Sequence, residues 1–420
     1  MAENREPARY WYDVHLSLNP ETPGPNGQAI HGLVKFTYQV DGQRLEYAAA
    51  ESLADPIPGE EIPIPPGSDF WPQKAFTDVV VQGSAFAAGA NPVPEVEVRL
   101  EVGEVERRIV VFGDRDILFQ ASGTPRIGPP EPFEEMALTW ENAYGGLDDR
   151  TPVPEPTSIV ELMRLKHDHP GLYPRNPFGK GYLVEPGPLG GATMPNLEDP
   201  LDRLTTERIV TRDPRRWYRQ PIPACFDFMP VGCFPRKVFM DPQSEPWHPA
   251  PDDASLPEVE RGFMWAGYRA RMREARSTPD PLFFQGGSHG LILGRLDPGT
   301  PVQVSGMHPE HPVIRFLTPE APVLRLWGDG QILEASSRLH HMVVRPEDLT
   351  VTTVYGVTGR SPRGFIPGIH KHIPIYLQVG DDEAVPFPTP PTLREQKAQV
   401  AREREEEKTV EEEAQGENQG

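Results

Sequence analysis

The sequence predicts a mainly β fold: antiparallel sheets in a two-lobed, β-sandwich-like arrangement, with long ordered loops and few short helices. Two observations predict it. Apolar and polar residues alternate over residues 34–40 and 96–102, the pattern of strands with one buried and one hydrated face. The 52 prolines and 38 glycines favour many turns and stiff loops, yet their share stays below that of a low-complexity chain.

The rest of the chain repeats these strand signals. Gly328, Asp329 and Gly330 separate two apolar runs, as in a hairpin. Pro374 predicts that the last strand lies at a sheet edge, because proline cannot donate to a ladder of hydrogen bonds. Further candidate strands cover residues 79–81, 109–112, 323–327, 332–333, 339–344, 349–355 and 373–379.

Helical signals are few. Residues 158–166 begin with capping-box spacing, and residues 262–276 and 392–408 are the other candidates. Strands, breakers and charges together divide the chain into four segments. These are an N-terminal β lobe (1–125), a loop-rich middle (126–280), a C-terminal β lobe (281–385) and a charged tail, partly helical or disordered (386–420).

Charge restricts the expected partners. The formal net charge is −21, from 41 basic and 62 acidic side chains. This argues against binding to nucleic acid, whose phosphates require clusters of Lys and Arg. It also argues against docking on an anionic membrane surface. Proteins or small molecules are therefore the expected partners.

The sequence favours a cytoplasmic location. The first residues carry no apolar run typical of a signal peptide. No stretch approaches the roughly 18 apolar residues that a membrane helix needs, so no membrane insertion is expected. Cys225 and Cys233 fit neither a disulfide framework nor a Cys-x-x-Cys motif, as expected for a protein in a reducing compartment.

Three short polar motifs lie in the middle segment: loop A, residues 140–146 (WENAYGG); loop B, residues 176–182 (NPFGKGY); and loop C, residues 194–200 (MPNLEDP). Each places glycine or proline beside a carboxylate, amide or ammonium group, which fixes unusual backbone angles while it positions a polar side chain. None is a known cofactor or metal motif. The candidate partner-binding residues are Trp140, Glu141, Tyr144, Asn176, Lys180, Tyr182, Asn196, Glu198 and Asp199.

A serine hydrolase is one alternative function. Residues 286–290 (GGSHG) match the Gly-x-Ser-x-Gly motif, in which a strained turn holds the nucleophile, here Ser288, ahead of a helix. Residues 291–298 contain two helix breakers and are typical of a strand instead. A Gly-rich turn is therefore the favoured interpretation of this motif.

Metal-dependent hydrolysis is a second alternative. His370 and His372 would lie on one face of a strand, as some metal sites require, but no carboxylate follows before Asp381. The adjacent His340 and His341 would point to opposite faces, which disfavours a shared metal. We therefore predict no metal ligand and no cofactor.

Two further alternatives use the loop residues themselves. Glu141, Glu198 and Asp199 could act as paired carboxylates in acid–base catalysis. The simpler interpretation is that they accept hydrogen bonds from nearby backbone N–H groups, so we predict no catalytic residue. A carbohydrate-binding module would instead stack sugars on Trp140, Tyr144 and Trp217.

Several motifs, in the same order along the chain, resemble a bacterial family known as domain of unknown function 2169. Where that family has an Ala-Pro-x-Asp-Gln segment after a Phe-Phe pair, this chain has residues 285–289 (QGGSH) after Phe283 and Phe284. The similar stretches are residues 74–83, 110–115, 133–146, 173–182 and 194–200, followed by 306–316 and 339–354.

The resemblance implies a function. Members of that family are found with type VI secretion systems, as cytoplasmic adaptors or chaperones that load a toxin effector onto the spike, and they carry no established active site. By this resemblance the chain is a non-enzymatic adaptor whose partners are a spike protein and a toxin effector. Trp140, Tyr144 and Tyr182 are then expected to line exposed pockets within rigid Gly/Pro frames.

Overall fold

The structure is a computed structural model. It describes most of the chain from residue 10 to residue 386. The described residues are 10–18, 28–53, 69, 74–151, 169–186, 192–234, 236, 284–328, 331–334, 337–360, 375–382 and 385–386.

The described residues form a mainly β protein with several antiparallel sheets, so the predicted fold class is confirmed. Three short 3-10 helices lie wholly within the described residues, at Ala88–Ala90, Trp140–Asn142 and Pro214–Arg219. None of these helices in the described ranges is long and apolar enough to cross a membrane. The helices predicted at 158–166, 262–276 and 392–408 lie outside the described residues.

The strands are numbered in chain order. In the first part of the chain they are β1 (Tyr10–Leu18), β2 (Gln28–Asp41), β3 (Arg44–Tyr47), β4 (Thr77–Val81), β5 (Ser84–Phe86), β6 (Glu95–Val102), β7 (Val105–Phe112), β8 (Asp116–Phe119), β9 (Pro125–Ile127) and β10 (Glu135–Ala137). The middle contributes β11 (Tyr144–Gly145), β12 (Lys180–Gly181), β13 (Ala192–Thr193) and β14 (Leu197–Glu198). The last strands are β15 (Ile292–Leu293), β16 (Pro301–Ser305), β17 (Val313–Leu317), β18 (Leu324–Gly328), β19 (Gln331–Glu334), β20 (Arg338–Arg345), β21 (Thr350–Arg360), β22 (Ile375–Val379) and β23 (Val385–Pro386).

The largest sheet has seven strands in the order β1-β2-β21-β20-β4-β15, with β3 paired to β2. Every residue of strand β4 is buried, and Val79–Val81 confirm the deeply buried strand that the sequence predicts at residues 79–81. It runs parallel to β20, where Asp78 faces His341, and antiparallel to β15, where Asp78 faces Ile292. A carboxylate therefore lies in the interior of this sheet.

The second sheet has five strands in the order β14-β7-β6-β16-β17. Its central hairpin, β6–β7, confirms the predicted alternation, because Val98, Leu100 and Val102 are buried on one face. The opposite face carries ion pairs between charged side chains. Arg99 lies 3.3 Å from Glu97. These exposed pairs contribute little stability each and keep the outer face of the hairpin hydrated.

The four-stranded sheet β19-β18-β22-β23 corrects one prediction. The last predicted strand is not at an edge, since β22 lies between β18 and β23. The reason is the position of the strand: β22 begins at Ile375, after Pro374, so its ladder needs no N–H group from that proline.

The chain divides into two compact units, each assembled from separate stretches. One unit holds the five-stranded sheet and the three loop motifs, and it consists of Met1–Asp13, Leu33–Pro322 and Ser337–Gly356. The other holds the four-stranded sheet, and it consists of Val14–Gly32, Val323–Ser336 and Val357–Gly420. The four contiguous segments expected from the sequence stay a prediction.

The loop-rich middle has its own apolar core. Tyr144, Tyr173, Tyr182 and Trp217 are buried together, with ring centroids 4.9–6.5 Å apart between neighbours. A smaller cluster contains Trp140, Met229 and both cysteines, which are buried and free, as predicted. Irregular backbone is thus held around aromatic rings, each of which buries much apolar area.

Candidate functional site: interlocked loops and a buried charge chain

Loops A and B are joined by one buried amide. Asn176 Nδ2 donates to the carbonyl oxygens of Trp140 (2.7 Å) and Tyr144 (3.2 Å), and its Oδ1 accepts from the backbone N–H of Phe178 (3.2 Å). The backbones of the two loops also pair, as parallel strands β11 and β12. The amide therefore satisfies backbone groups of both loops in addition to the short β11–β12 ladder.

Glycine is required where the two loops approach most closely. Gly146 has φ +98°, a conformation that L side chains rarely adopt. A Cβ atom at this position would lie 2.4 Å from the carbonyl oxygen of Gly179. Backbone packing thus explains the Gly-Gly pair of loop A and Gly179 of loop B.

Loop C packs on a Gly-Asp-Arg turn, residues 113–115, that directly follows β7. Asn196 Nδ2 donates to the carbonyl oxygen of Phe112 and to Asp114 Oδ1, both at 3.0 Å. Arg115 Nη2 donates to Glu198 Oε1 at 2.6 Å, and its guanidinium stacks 3.7 Å from the ring of Phe112. Both members of the Arg115–Glu198 pair are buried, and burial raises the pKa of Glu198 while Arg115 opposes that shift.

All three loops meet at a second set of contacts. Lys180 Nζ of loop B donates to Asn142 Oδ1 of loop A at 3.1 Å, and the backbone N–H of Asn196 in loop C donates to the carbonyl oxygen of Asn142 at 2.9 Å. Loops that are 12 or more residues apart in sequence therefore form one interlocked unit. These polar groups hold the three loops together.

The aromatic residues of the loops are not where the sequence suggested. Trp140, Tyr144 and Tyr182 are 3%, 1% and 2% exposed, so the expectation that they line exposed pockets is wrong. The physical reason is the scarcity of regular strands in this region, because the rings themselves have to supply its core. Trp217 is equally buried, so the stacking platforms of a carbohydrate-binding module are not available.

The other candidate residues fall into three groups. Glu141 is exposed, and Lys180 and Asp199 are half-buried. The remaining candidates are buried: Asn176, Asn196 and Glu198. The structure therefore brings these residues together as a frame, and only Glu141, Lys180 and Asp199 reach solvent.

The Gly-x-Ser-x-Gly segment forms a turn, as interpreted from the sequence. The N–H of Leu291 donates to the carbonyl oxygen of Ser288 at 2.9 Å, and strand β15 follows directly. A nucleophile elbow requires a helix at that position. Ser288 is also buried, so its hydroxyl is closed to a substrate in solution.

The histidines do not form a metal site in the described ranges. His370 and His372 lie outside the described residues. Among the residues that are described, no group of three or more His, Cys, Asp or Glu side chains could hold a metal ion. His340 and His341 are both buried, and a register shift lies between Leu339 and His341 on β20.

A buried ion pair was missed by the sequence analysis. Lys74 Nζ lies 2.7 Å from Asp78 Oδ2, and both side chains are fully buried. Asp78 also accepts hydrogen bonds from Gln285 Nε2 and from the backbone N–H of Gly286, each at 2.8 Å. Three donors thus surround one carboxylate, which compensates for its removal from water.

His341 extends this pair into a chain of buried charges. Its Nε2 lies 2.7 Å from Asp69 Oδ1, and its Nδ1 lies 3.3 Å from Lys74 Nζ. These neighbours define the tautomer, since the carboxylate must accept from Nε2–H and the ammonium must donate to Nδ1. A proton on Nδ1 would face the Lys74 cation. Burial first, and Lys74 second, accordingly lower the pKa of His341.

The series of buried charges continues towards the surface through Lys35, whose Nζ lies 3.1 Å from Asp69 Oδ2. Lys35 is 3.7 Å from Glu51, a half-exposed residue that is bound to Arg345 at 3.1 Å. We call Lys35, Asp69, His341, Lys74 and Asp78 the buried charge chain. Its inner end is closed to solvent, so it connects strands rather than binding a substrate. The Lys74–Asp78 spacing was visible in the sequence, but the partners hundreds of residues away were not.

Large apolar side chains remain exposed in several places. At the loop motifs these are Leu147, Phe178 and Leu201, which are 49%, 50% and 86% exposed. Elsewhere they include Tyr47, Leu118, Val313, Leu317, Val323 and Ile332. Single exposed apolar residues are common, so only groups that share a structural setting suggest a contact surface.

Fold and site define a β protein whose irregular middle is a rigid frame of interlocked polar loops. The chain belongs to DUF2169, a family described as an uncharacterized protein conserved in bacteria, which it matches over residues 28–355. All three loops lie within that range. No curated protein and no solved structure matches the chain.

The structural role of Asn176 predicts a loss of stability on its removal. Asn176→Ala removes two hydrogen bonds to backbone carbonyl oxygens and one from a backbone N–H group, which should lower the free energy of unfolding by about 1–3 kcal/mol. Urea denaturation followed by circular dichroism measures this. Asn91→Ala, at an exposed asparagine with one 3.3 Å hydrogen bond, is the control and should change stability by less than about 0.5 kcal/mol. Equal effects of the two substitutions would contradict a structural role.

The lowered pKa of His341 predicts acid sensitivity. Its folded-state pKa lies below the unfolded value of about 6.5, so the unfolded state binds more protons as the pH falls below 6.5. Stability should therefore decrease towards acid pH, by up to about 1.4 kcal/mol per pH unit from this group.

The variant His341→Gln isolates that contribution. Glutamine keeps one donor for Asp69 and one acceptor for Lys74 but cannot titrate, whereas other groups titrate in both proteins. Unfolding free energies measured between pH 7 and pH 5 should fall less steeply in His341→Gln than in the native chain. His311→Gln, at an exposed histidine, is the control. Parallel pH profiles for native chain and His341→Gln would refute a neutral buried imidazole.

Proposed function

We propose that the chain is a non-enzymatic, cytoplasmic adaptor or chaperone that binds a toxin effector of a type VI secretion system and presents it to the spike. The proposal is supported by the resemblance of loops A, B and C, together with the Gly-Asp-Arg turn, to family members that are found with such systems. It concerns protein recognition and assigns no catalytic step.

One observation carries the proposal: the interlocked loops form a surface of irregular backbone that is already ordered. Asn176 and Asn196 fix the loops from within, through side-chain hydrogen bonds to backbone carbonyls. A binding surface held in this way loses little conformational entropy when a partner docks. Rigid loops on a β scaffold are a common solution for recognising another protein.

Exposed apolar residues on the same loops supply contact area. Phe178 follows Pro177 in loop B, and its ring lies next to Gly232, which leaves half of the side chain in solvent. Leu147 directly follows loop A and Leu201 directly follows loop C. Aromatic and aliphatic side chains on a rigid frame are typical anchors of protein interfaces. Of the original candidates, Glu141, Lys180 and Asp199 belong with this surface.

Affinity purification tests the proposal most directly. The tagged full chain, purified from its native bacterium after crosslinking, should recover a spike protein and a toxin-like effector. Phe178→Ala should reduce that recovery several-fold without a change in melting temperature, since the ring is half exposed. Ile332→Ala, at a similarly exposed apolar residue outside the loops, is the matched control. Recovery of neither protein, with secretion unaltered by deletion of the chain, would defeat the adaptor function.

A further inference from the structure

Strand β17 has one free edge. Among the strands that the structure describes, β17 pairs with β16 alone and ends the five-stranded sheet. At its two ends, the carbonyl of Pro312 accepts from Gly306 (3.0 Å) and the N–H of Thr318 donates to Thr300 (2.9 Å). The backbone N–H and C=O groups of the even-numbered residues of β17 therefore bond to β16, because residues of an antiparallel strand alternate between its two edges. The N–H and C=O groups of residues 313, 315 and 317 consequently point to the free edge.

The outer face of this sheet becomes apolar towards that edge. On β6 the outward side chains are charged and ion-paired, as Arg99 and Glu97 are. On β16 the outward residue is Gln303, which faces Arg315 on β17. On either side of Arg315, Val313 and Leu317 are 39% and 54% exposed. Natural sheets usually protect a free edge with charges or proline, so an apolar outer face here favours pairing with another strand.

Arg315 specifies the charge of the incoming strand. Its Nε donates to Gln303 Oε1 at 2.6 Å, and no carboxylate of the described residues pairs with it. Strand β3 lies beside β17 without pairing to it. Strand β3 carries a second exposed arginine, Arg44, which likewise has no ion pair within the described ranges. An acidic side chain opposite Arg315 would neutralise its positive charge and form a favourable cross-strand pair with it.

A second copy of this chain does not fit the edge. Antiparallel pairing of β17 with itself, in the register that places Val313 opposite Leu317, puts the two Arg315 side chains directly opposite each other. Like charges in that position destabilise a pair of strands. The complementary occupant is therefore a different chain.

We propose that the free edge of β17 accepts an extended segment of a partner protein, in which an acidic residue lies between two apolar residues of the same face. The segment becomes the sixth strand of the sheet. Backbone hydrogen bonds to residues 313, 315 and 317 supply affinity, and the alternating side chains supply specificity, as in other strand-addition complexes. This surface is separate from the loop motifs, and the inference does not depend on type VI secretion.

A synthetic probe tests this binding with the full chain. The probe is a fluorescent heptapeptide, Thr-Val-Thr-Glu-Thr-Val-Thr, measured by anisotropy. It should bind saturably, and Arg315→Glu should weaken binding at least tenfold. A probe with Lys in place of the central Glu should show the reverse preference and bind Arg315→Glu more tightly than the native chain. Arg126→Glu, at an exposed arginine on the terminal strand β9, is the control and should leave binding unchanged.

Backbone pairing is tested by modifying the probe instead of the protein, so the folding of the protein cannot affect the result. N-methylation of alternate residues on the pairing edge of the heptapeptide removes its donors and should abolish binding. Binding that survives N-methylation, that ignores the charge at residue 315, or that is absent at millimolar probe would overturn the proposal. A homodimer in sedimentation velocity that dissociates in Arg315→Glu would overturn it too, in favour of self-association. None of these outcomes bears on recovery of a spike protein or an effector.

Discussion

The fold depends on complete pairing of a carboxylate buried inside its largest sheet. Asp78 lies on the central strand β4, where it faces His341 on one side and Ile292 on the other. It is surrounded by Lys74, Gln285 and the N–H of Gly286. A buried charge that loses one partner costs roughly 3–5 kcal/mol, so each of these donors is fixed in place. The sheet, the turn before β15 and the start of β4 are thereby held in one arrangement.

The same physical rule organises the loop motifs. Only two-residue strands pair the backbones of loops A, B and C, and side-chain amides satisfy further backbone groups of these loops. Asn176 serves two loops, and Asn196 attaches the third to the turn after β7. The polar residues that looked most like a binding site are used internally. Phe178 remains half exposed on these loops, and the free edge of β17 lies apart from them.

The sequence predicted features that depend on neighbouring residues, but it did not reveal contacts between residues that are far apart in the chain. Alternation identified β2 and β6 as strands and gave the buried face of β6 correctly. The hydrated face predicted for β2 is wrong, because Lys35 and Thr37 are buried in the structure. The turn at Ser288 followed from the breakers after it. The contact of His341 with Asp69 joins residues 272 positions apart, and no spacing rule reveals it. Tyr144 looked like a surface aromatic because its glycine neighbours suggested an exposed turn. Its burial follows from the need of an irregular region for a core.

The coupling between Lys74 and Asp78 is the most direct test of this account. A double-mutant cycle with Lys74→Met and Asp78→Asn, measured by urea denaturation, isolates it. Each single substitution should lower the free energy of unfolding by about 3–5 kcal/mol, because the remaining charge is buried and uncompensated. The double variant should lose clearly less than the sum of the two. Single losses below about 1 kcal/mol that add within about 0.5 kcal/mol would contradict the claim that the sheet depends on this pair.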